Sequence, residues 1–189
     1  MTVNNEQIYG RDALKNGEPW IVPEALSLLK TFVKPDWRVF EWGSGGSTVF
    51  WSRNCKGVIA IEHLDNWIER TKQMLIDFNC PNNWTLHYAP ADMTVTQEHY
   101  RNYANAILQY DNQYDLIYID GEATSRKWCL EHALTRVKKG GCLLLDNSNW
   151  LADYDFGTDW QRWDFVERNL HWIGQAETFD WYTSILKRL

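Results

Sequence analysis

Apolar and polar positions along the chain switch between a helical and an alternating period, and each switch marks an element. Pro23 to Phe32 has a proline at a helix start and leucines at helical spacing, and Lys34-Pro35-Asp36 breaks the pattern, so a short helix leads into the first strand. Arg38 to Ser52 reads as a strand, a glycine-rich bend and a helix start, with Ser47-Thr48 ahead of further apolar residues. Val58 to Glu62 is an apolar run ending in an acid, the pattern of a buried second strand. Asp65 to Phe78 predicts a helix with Trp67, Ile68, Met74, Leu75 and Phe78 on one broad face. Beyond the turn Pro81-Asn82-Asn83, Trp84 to Tyr88 alternates as a third strand, ended by Ala89-Pro90-Ala91-Asp92. Glu98 to Tyr110 predicts a helix and Tyr114 to Gly121 a fourth strand. Arg126 to Lys138 predicts another helix, stopped by Gly140-Gly141, and Cys142 to Leu145 a fifth strand ending in Asp146-Asn147. Trp150 to Leu170 predicts a loop followed by a helix from about Asp159. His171 to Thr178 and Trp181 to Arg188 predict a hairpin.

Apolar strands alternating with helices imply right-handed βαβ units, hence an α/β fold whose parallel sheet is covered on both faces, with the terminal hairpin closing the far edge. The 189 residues suit one domain, with 1–36 as a helical lead-in. An apolar fraction of 44% fits a folded chain rather than a disordered one. A formal net charge of −6 argues against a nucleic-acid partner, whose affinity rests largely on Lys and Arg. Met1 to Gly10 lacks the pattern of a signal peptide and no apolar run is long enough to span a bilayer, so a cytoplasmic protein without a membrane partner is expected. Cys55, Cys80, Cys129 and Cys142 stand far apart and read as reduced thiols. Oligomeric state is left open.

Candidate chemistry collects at the strand ends, where ligands bind in such folds. Glu41, Glu62, Asp92, Asp120 and Asp146 place an acid after each of the five strands. At the first bend, glycines let a backbone approach a ligand closely, and the N–H groups of a helix start attract an anionic group. An ordinary βα turn without a ligand is the bland alternative.

The Glu41-x-Gly43-x-Gly45-Gly46 bend, Glu62, Asp92 and the terminal hairpin resemble the class I S-adenosylmethionine-dependent methyltransferases, from Val39 onward. That resemblance implies a Rossmann-like three-layer sandwich with a mostly parallel seven-stranded sheet and an antiparallel C-terminal hairpin. It implies a cofactor lying along Glu41, Gly43, Ser44, Gly45, Gly46, Ser47 and Thr48. Glu62 would hold the ribose and Asp92 the adenine amine, with His63 and Met93 flanking the adenosine. A nicotinamide dehydrogenase is the nearest rival, but its fingerprint wants glycine where this chain has Thr48. Asp120-Gly121-Glu122 departs from the Asn/Asp-Pro-Pro run of base N-methyltransferases.

Strands four and five should lie about 4.8 Å apart, which brings Asp120 near Asp146 and Asn147, a set suited to a hard cation such as Mg²⁺. The spacing of 146 − 120 = 26 residues is similar to that of metal-dependent O-methyltransferases of the catechol and caffeoyl-CoA type. Those families usually carry a lysine three residues after the strand-four acid. This chain has Ala123 there, with Arg126 and Lys127 the nearest cations. Asp120 is the candidate catalytic residue. The aromatic-rich segment 148–170, with Trp150, Tyr154, Phe156, Trp160 and Trp163, could wall the acceptor side or pack a last helix. The expected activity is methyl transfer to a small-molecule acceptor, at oxygen, with a non-catalytic cofactor-binding module as the alternative.

Overall fold

The computed structural model describes residues 13–91, 97–110, 112–171 and 178–189. Helix α1 (Pro23–Phe32) precedes β1 (Arg38–Trp42), α2 (Gly46–Asn54), β2 (Gly57–Glu62), α3 (Asp65–Asp77) and β3 (Trp84–Tyr88). Then come α4 (Gln97–Asn105), a 3₁₀ turn (Ala106–Gln109), β4 (Tyr114–Ile119), α5 (Arg126–Arg136) and β5 (Val137–Asp146). A second 3₁₀ turn (Ser148–Leu151), β6 (Trp160–His171) and β7 (Thr178–Arg188) complete the chain.

The seven strands form one sheet in the order β3-β2-β1-β4-β5-β7-β6. The first five run parallel, and β7 pairs antiparallel with both β5 and β6. Successive side chains of a strand point to opposite faces. Phe40, Trp42, Ile117 and Leu143 therefore pack with Tyr103, Ile107 and Leu130 on one face. Val39, Leu116, Tyr118 and Leu144 pack with Leu29, Phe50 and Trp51 on the other. The chain switches from one side of β1 to the other at the crossover from β3 to β4, so the ends of β1 and β4 flank a crevice.

Two expectations about elements are corrected. The stretch from Asp159 to Leu170 is not a helix: β6 spans Trp160–His171, with Trp163 and Phe165 against the core while Arg162, Asp164 and Arg168 face out. That alternation is strand-like, and β6 is the arm that pairs with β7, in place of the expected His171–Thr178 run. Gly140-Gly141 does not stop a helix either. The helix ends at Arg136, and the register between β4 and β5 jumps from Tyr114↔Val137 to Leu116↔Cys142, so the glycine pair lies in a bulge at the start of β5.

Candidate active site

The bend after β1 is built on a buried acid. Glu41 is wholly enclosed, and its carboxyl oxygens accept hydrogen bonds from the Thr48 hydroxyl and, at 3.0 Å, from the Trp51 indole N–H. The Thr48 hydroxyl also accepts the Gly45 amide at 3.0 Å, which links acid, hydroxyl and bend backbone in one chain. Burial pushes the Glu41 carboxyl up to about 8, opposed by hydrogen bonds from Thr48, Ser47 and Trp51, with the Asp120 charge adding to the rise. Gly43 holds φ at +104° and donates its N–H to the Ile61 carbonyl at 2.7 Å. A Cβ there would lie 3.0 Å from the Gly121 nitrogen, so the bend touches the end of β4 directly. A Cβ on Gly46 would strike the Glu18 carbonyl, because residues 13–18 pack over the start of α2. Glu41, Gly46, Ser47 and Thr48 are thus all buried within the bend.

Ser44, between Gly43 and Gly45, is only half-buried. Ser44 donates its hydroxyl to Glu62 Oε2 at 2.9 Å, lies 3.0 Å from the Thr71 hydroxyl, and accepts the Trp67 indole N–H on its carbonyl at 2.6 Å. Glu62 is 2% exposed at the end of β2, and its Oε1 accepts the backbone N–H groups of His63 at 2.8 Å and Leu64 at 3.0 Å. The carboxylate is therefore oriented before any ligand arrives. His63 Nδ1 lies 3.0 Å from Glu62 Oε1, out of line for a hydrogen bond, and its ring meets Tyr103 edge-on at 5.7 Å. Asp92 and Met93 lie outside the described residues.

Over β4 and β5 the acids meet a cation of the chain itself. Asp120 accepts the Tyr118 hydroxyl at 3.1 Å and Arg126 Nη2 at 3.1 Å, and 38% of its side chain stays exposed. Burial raises its carboxyl, with the Arg126 charge opposing. Asp146 is buried and accepts the Trp181 indole N–H at 2.9 Å and the Thr183 hydroxyl at 3.3 Å, both on Oδ1. Burial and then the Asp120 charge push its carboxyl up to about 8, with Arg126 again opposing. Asn147 turns into the left-handed region at φ +46° and starts the 3₁₀ turn.

The expected divalent site of Asp120, Asp146 and Asn147 finds no support in this geometry. Arg126, 3% exposed, reaches Asp120 with one terminal nitrogen and the Asp146 carbonyl with the other, filling the space between the two strand ends. A divalent ion within 4 Å of that guanidinium would be repelled by about 8 kcal/mol at an effective dielectric constant near 20. Among the described residues, no three His, Cys, Asp or Glu side chains gather into a metal-holding group.

The tail aromatics separate into two roles. Trp163 packs on Phe32 at 5.4 Å, and Tyr154, Phe156 and Trp160 pack against the core on the α5 face. Trp150 is 55% exposed and lies over the Arg126 guanidinium at 4.7 Å. Trp20 meets Trp181 edge-on at 6.1 Å.

A family model described as a methyltransferase domain matches residues 40–148, from the middle of β1 to the turn after β5. The chain belongs to the class I S-adenosylmethionine-dependent methyltransferases. Its fold is shared by solved structures of low sequence identity. An O-methyltransferase from Streptomyces achromogenes, in complex with SAM, superposes with a TM-score of 0.66 at 14% identity, covering 98% of this chain and 97% of that one. An rRNA methylase from Streptococcus thermophilus gives 0.64 at 17% identity, covering 86% and 93%. An O-methyltransferase from Bacillus cereus, in complex with SAH, gives 0.64 at 12% identity, covering 97% and 88%. A search of curated protein sequences returned no match. Among the described residues of this methyltransferase, no helix is long and apolar enough to cross a membrane.

Reading the sequence missed the roles of three residues in the candidate site. Arg126 was visible as the cation six residues after Asp120, on the first turn of a helix that starts beside its strand end. Trp67 and Trp181 gave no signal, because their partners Ser44 and Asp146 lie 23 and 35 residues away.

Proposed function

We propose that this methyltransferase carries the methyl group of S-adenosylmethionine to an oxygen of a small-molecule acceptor. The observation that carries the reading is Glu62, a carboxylate oriented by two backbone N–H groups and held beside the Ser44 bend. An ionised carboxylate can accept from two ribose hydroxyls at once. Gly43, Ser44 and Gly45 would follow the methionine part, since Gly45, at φ +141°, has nothing nearer than the Trp67 ring at 3.5 Å from a Cβ position. The bound cofactor supplies the electrophilic methyl. Asp120 is the acid nearest the bend with an exposed edge, which suits it to meet the acceptor. An oxygen acceptor is in keeping with the O-methyltransferases among the structural neighbours, and the net charge of −6 speaks against rRNA.

Calorimetric titration with S-adenosylmethionine tests the cofactor part: the wild-type chain should bind, and Glu62→Ala should weaken binding about tenfold or more, or about 1.4 kcal/mol. No heat with wild type, or an unchanged affinity in the variant, would refute it. Release of S-adenosylhomocysteine, measured across a panel of hydroxyl compounds and an rRNA fragment, tests the acceptor. Turnover confined to the RNA would overturn the small-molecule reading.

A further inference from the structure

We infer that Arg126 takes the functional place of a divalent cation in this methyltransferase, holding Asp120 toward the acceptor, which is then engaged through one oxygen and not chelated through two. The inference rests on the reading above, that cofactor and acceptor meet over β1 and β4. Arg126 begins α5 and turns back across the strand ends. Its Nη1 donates to the Asp146 carbonyl, and its Nη2 donates to Asp120 Oδ1 at 3.1 Å and to the Gly121 carbonyl at 3.3 Å. Trp150 covers the guanidinium at 4.7 Å. Both terminal nitrogens are thus engaged within the protein, whereas a metal ion would keep open positions for two acceptor oxygens.

The guanidinium also leaves a buried Nε without a hydrogen-bond partner among the described residues. Burying an unmet donor is costly, so stability alone is a poor account of why an arginine stands here. What the residue does achieve is orientation. A fixed positive charge on one oxygen of Asp120, and the Tyr118 hydroxyl on the carboxylate as well, set the acid at the end of β4 with an exposed edge. In the reaction, the acceptor hydroxyl oxygen uses a lone pair to bond the methyl carbon while the carbon–sulfur bond breaks and its electron pair stays on sulfur. The hydroxyl proton passes to the Asp120 carboxylate and from there to water, so charge and atoms balance without a metal. Arg126 is a positioning residue, acting through Asp120.

Electron paramagnetic resonance with Mn²⁺ as the probe tests this on the full chain and needs no acceptor. Wild type and Asp120→Asn should leave the same free Mn²⁺ signal. Arg126→Gln, checked for folding by circular dichroism, should gain a Mn²⁺ site at least about tenfold tighter than any in wild type, lost again on adding Asp120→Asn. Wild-type Mn²⁺ binding that falls in Asp120→Asn would overturn the inference, and so would a folded Arg126→Gln that gains no site. If Arg126→Gln does not fold, the comparison of wild type with Asp120→Asn still decides. In turnover of hydroxyl compounds, a single phenol should react with chelator present. A strict need for vicinal hydroxyls, abolished by chelator and restored by Mg²⁺, would refute the substitution. Failure to bind S-adenosylmethionine in calorimetry would instead sink the cofactor reading, leaving the Mn²⁺ result to be read separately.

Discussion

Replacing Glu41 by Gln should change how stability depends on pH. The acid is fully buried, and its carboxyl is raised from 4.5 to about 8. Between those values the folded chain holds a proton at Glu41 that the unfolded chain has released. Folding therefore takes up a proton, and stability falls as pH rises. The slope is about 1.4 kcal/mol per pH unit, and the upper bound over the whole window is roughly 5 kcal/mol. The stabilising contribution is complete below about 4.5 and lost through about 8. Glutamine cannot titrate, but its amide N–H₂ would face either the Trp51 donor or the Thr48 hydroxyl, at a pH-independent cost of about 1–3 kcal/mol. The variant should be less stable than wild type near pH 5, and the difference should shrink or reverse by pH 9. Urea unfolding of both chains at several pH values gives the difference directly, and titration of Asp120 and Asp146, present in both, largely cancels. Parallel stability–pH curves for the two chains would refute the assignment of a protonated, buried Glu41.

Two further substitutions probe the site's frame. Gly43→Ala places a Cβ 3.0 Å from the Gly121 nitrogen at φ +104°, and should cost about 1–3 kcal/mol in urea unfolding while weakening S-adenosylmethionine binding. Trp181→Phe removes the N–H that meets Asp146 Oδ1 at 2.9 Å, leaving Thr183 at 3.3 Å as that oxygen's partner among the described residues. It should lower stability by about 1–3 kcal/mol. Because that donor favours the ionised carboxylate, the loss should be greater above pH 8 than at pH 6, and a loss equal at both would argue against the bond.

Much of the fold was legible because its signals are local. The apolar runs of β1, β2, β4 and β5 each carry an acid at or next to their last residue, and Gly43 and Gly45 announce backbone at positive φ. Strand β6 was misread, since aromatics mixed with acids over Trp160–His171 fit a helix face as well as an alternating strand until β7 is known to lie beside it. Glu41 and Glu62 look alike in the sequence, as acids at successive strand ends. Both are buried, and their partners separate them: Glu41 is held beneath α2 by Thr48 and Trp51, whereas Glu62 meets Ser44 of the bend and the backbone N–H groups of His63 and Leu64.

The sequence by itself determined the order of strands and helices from α1 to β5, the bend after β1 and the line of strand-end acids, because periodicity and glycine conformations depend on near neighbours. Only the tertiary structure decided what stands between Asp120 and Asp146. The two acids come together through the pairing of β4 with β5, and Arg126 reaches both strand ends because α5 starts where that pairing brings them. Side-chain length, helix start and sheet register had to combine before the space between the two strand ends could be filled by a guanidinium, and no local pattern encodes that combination.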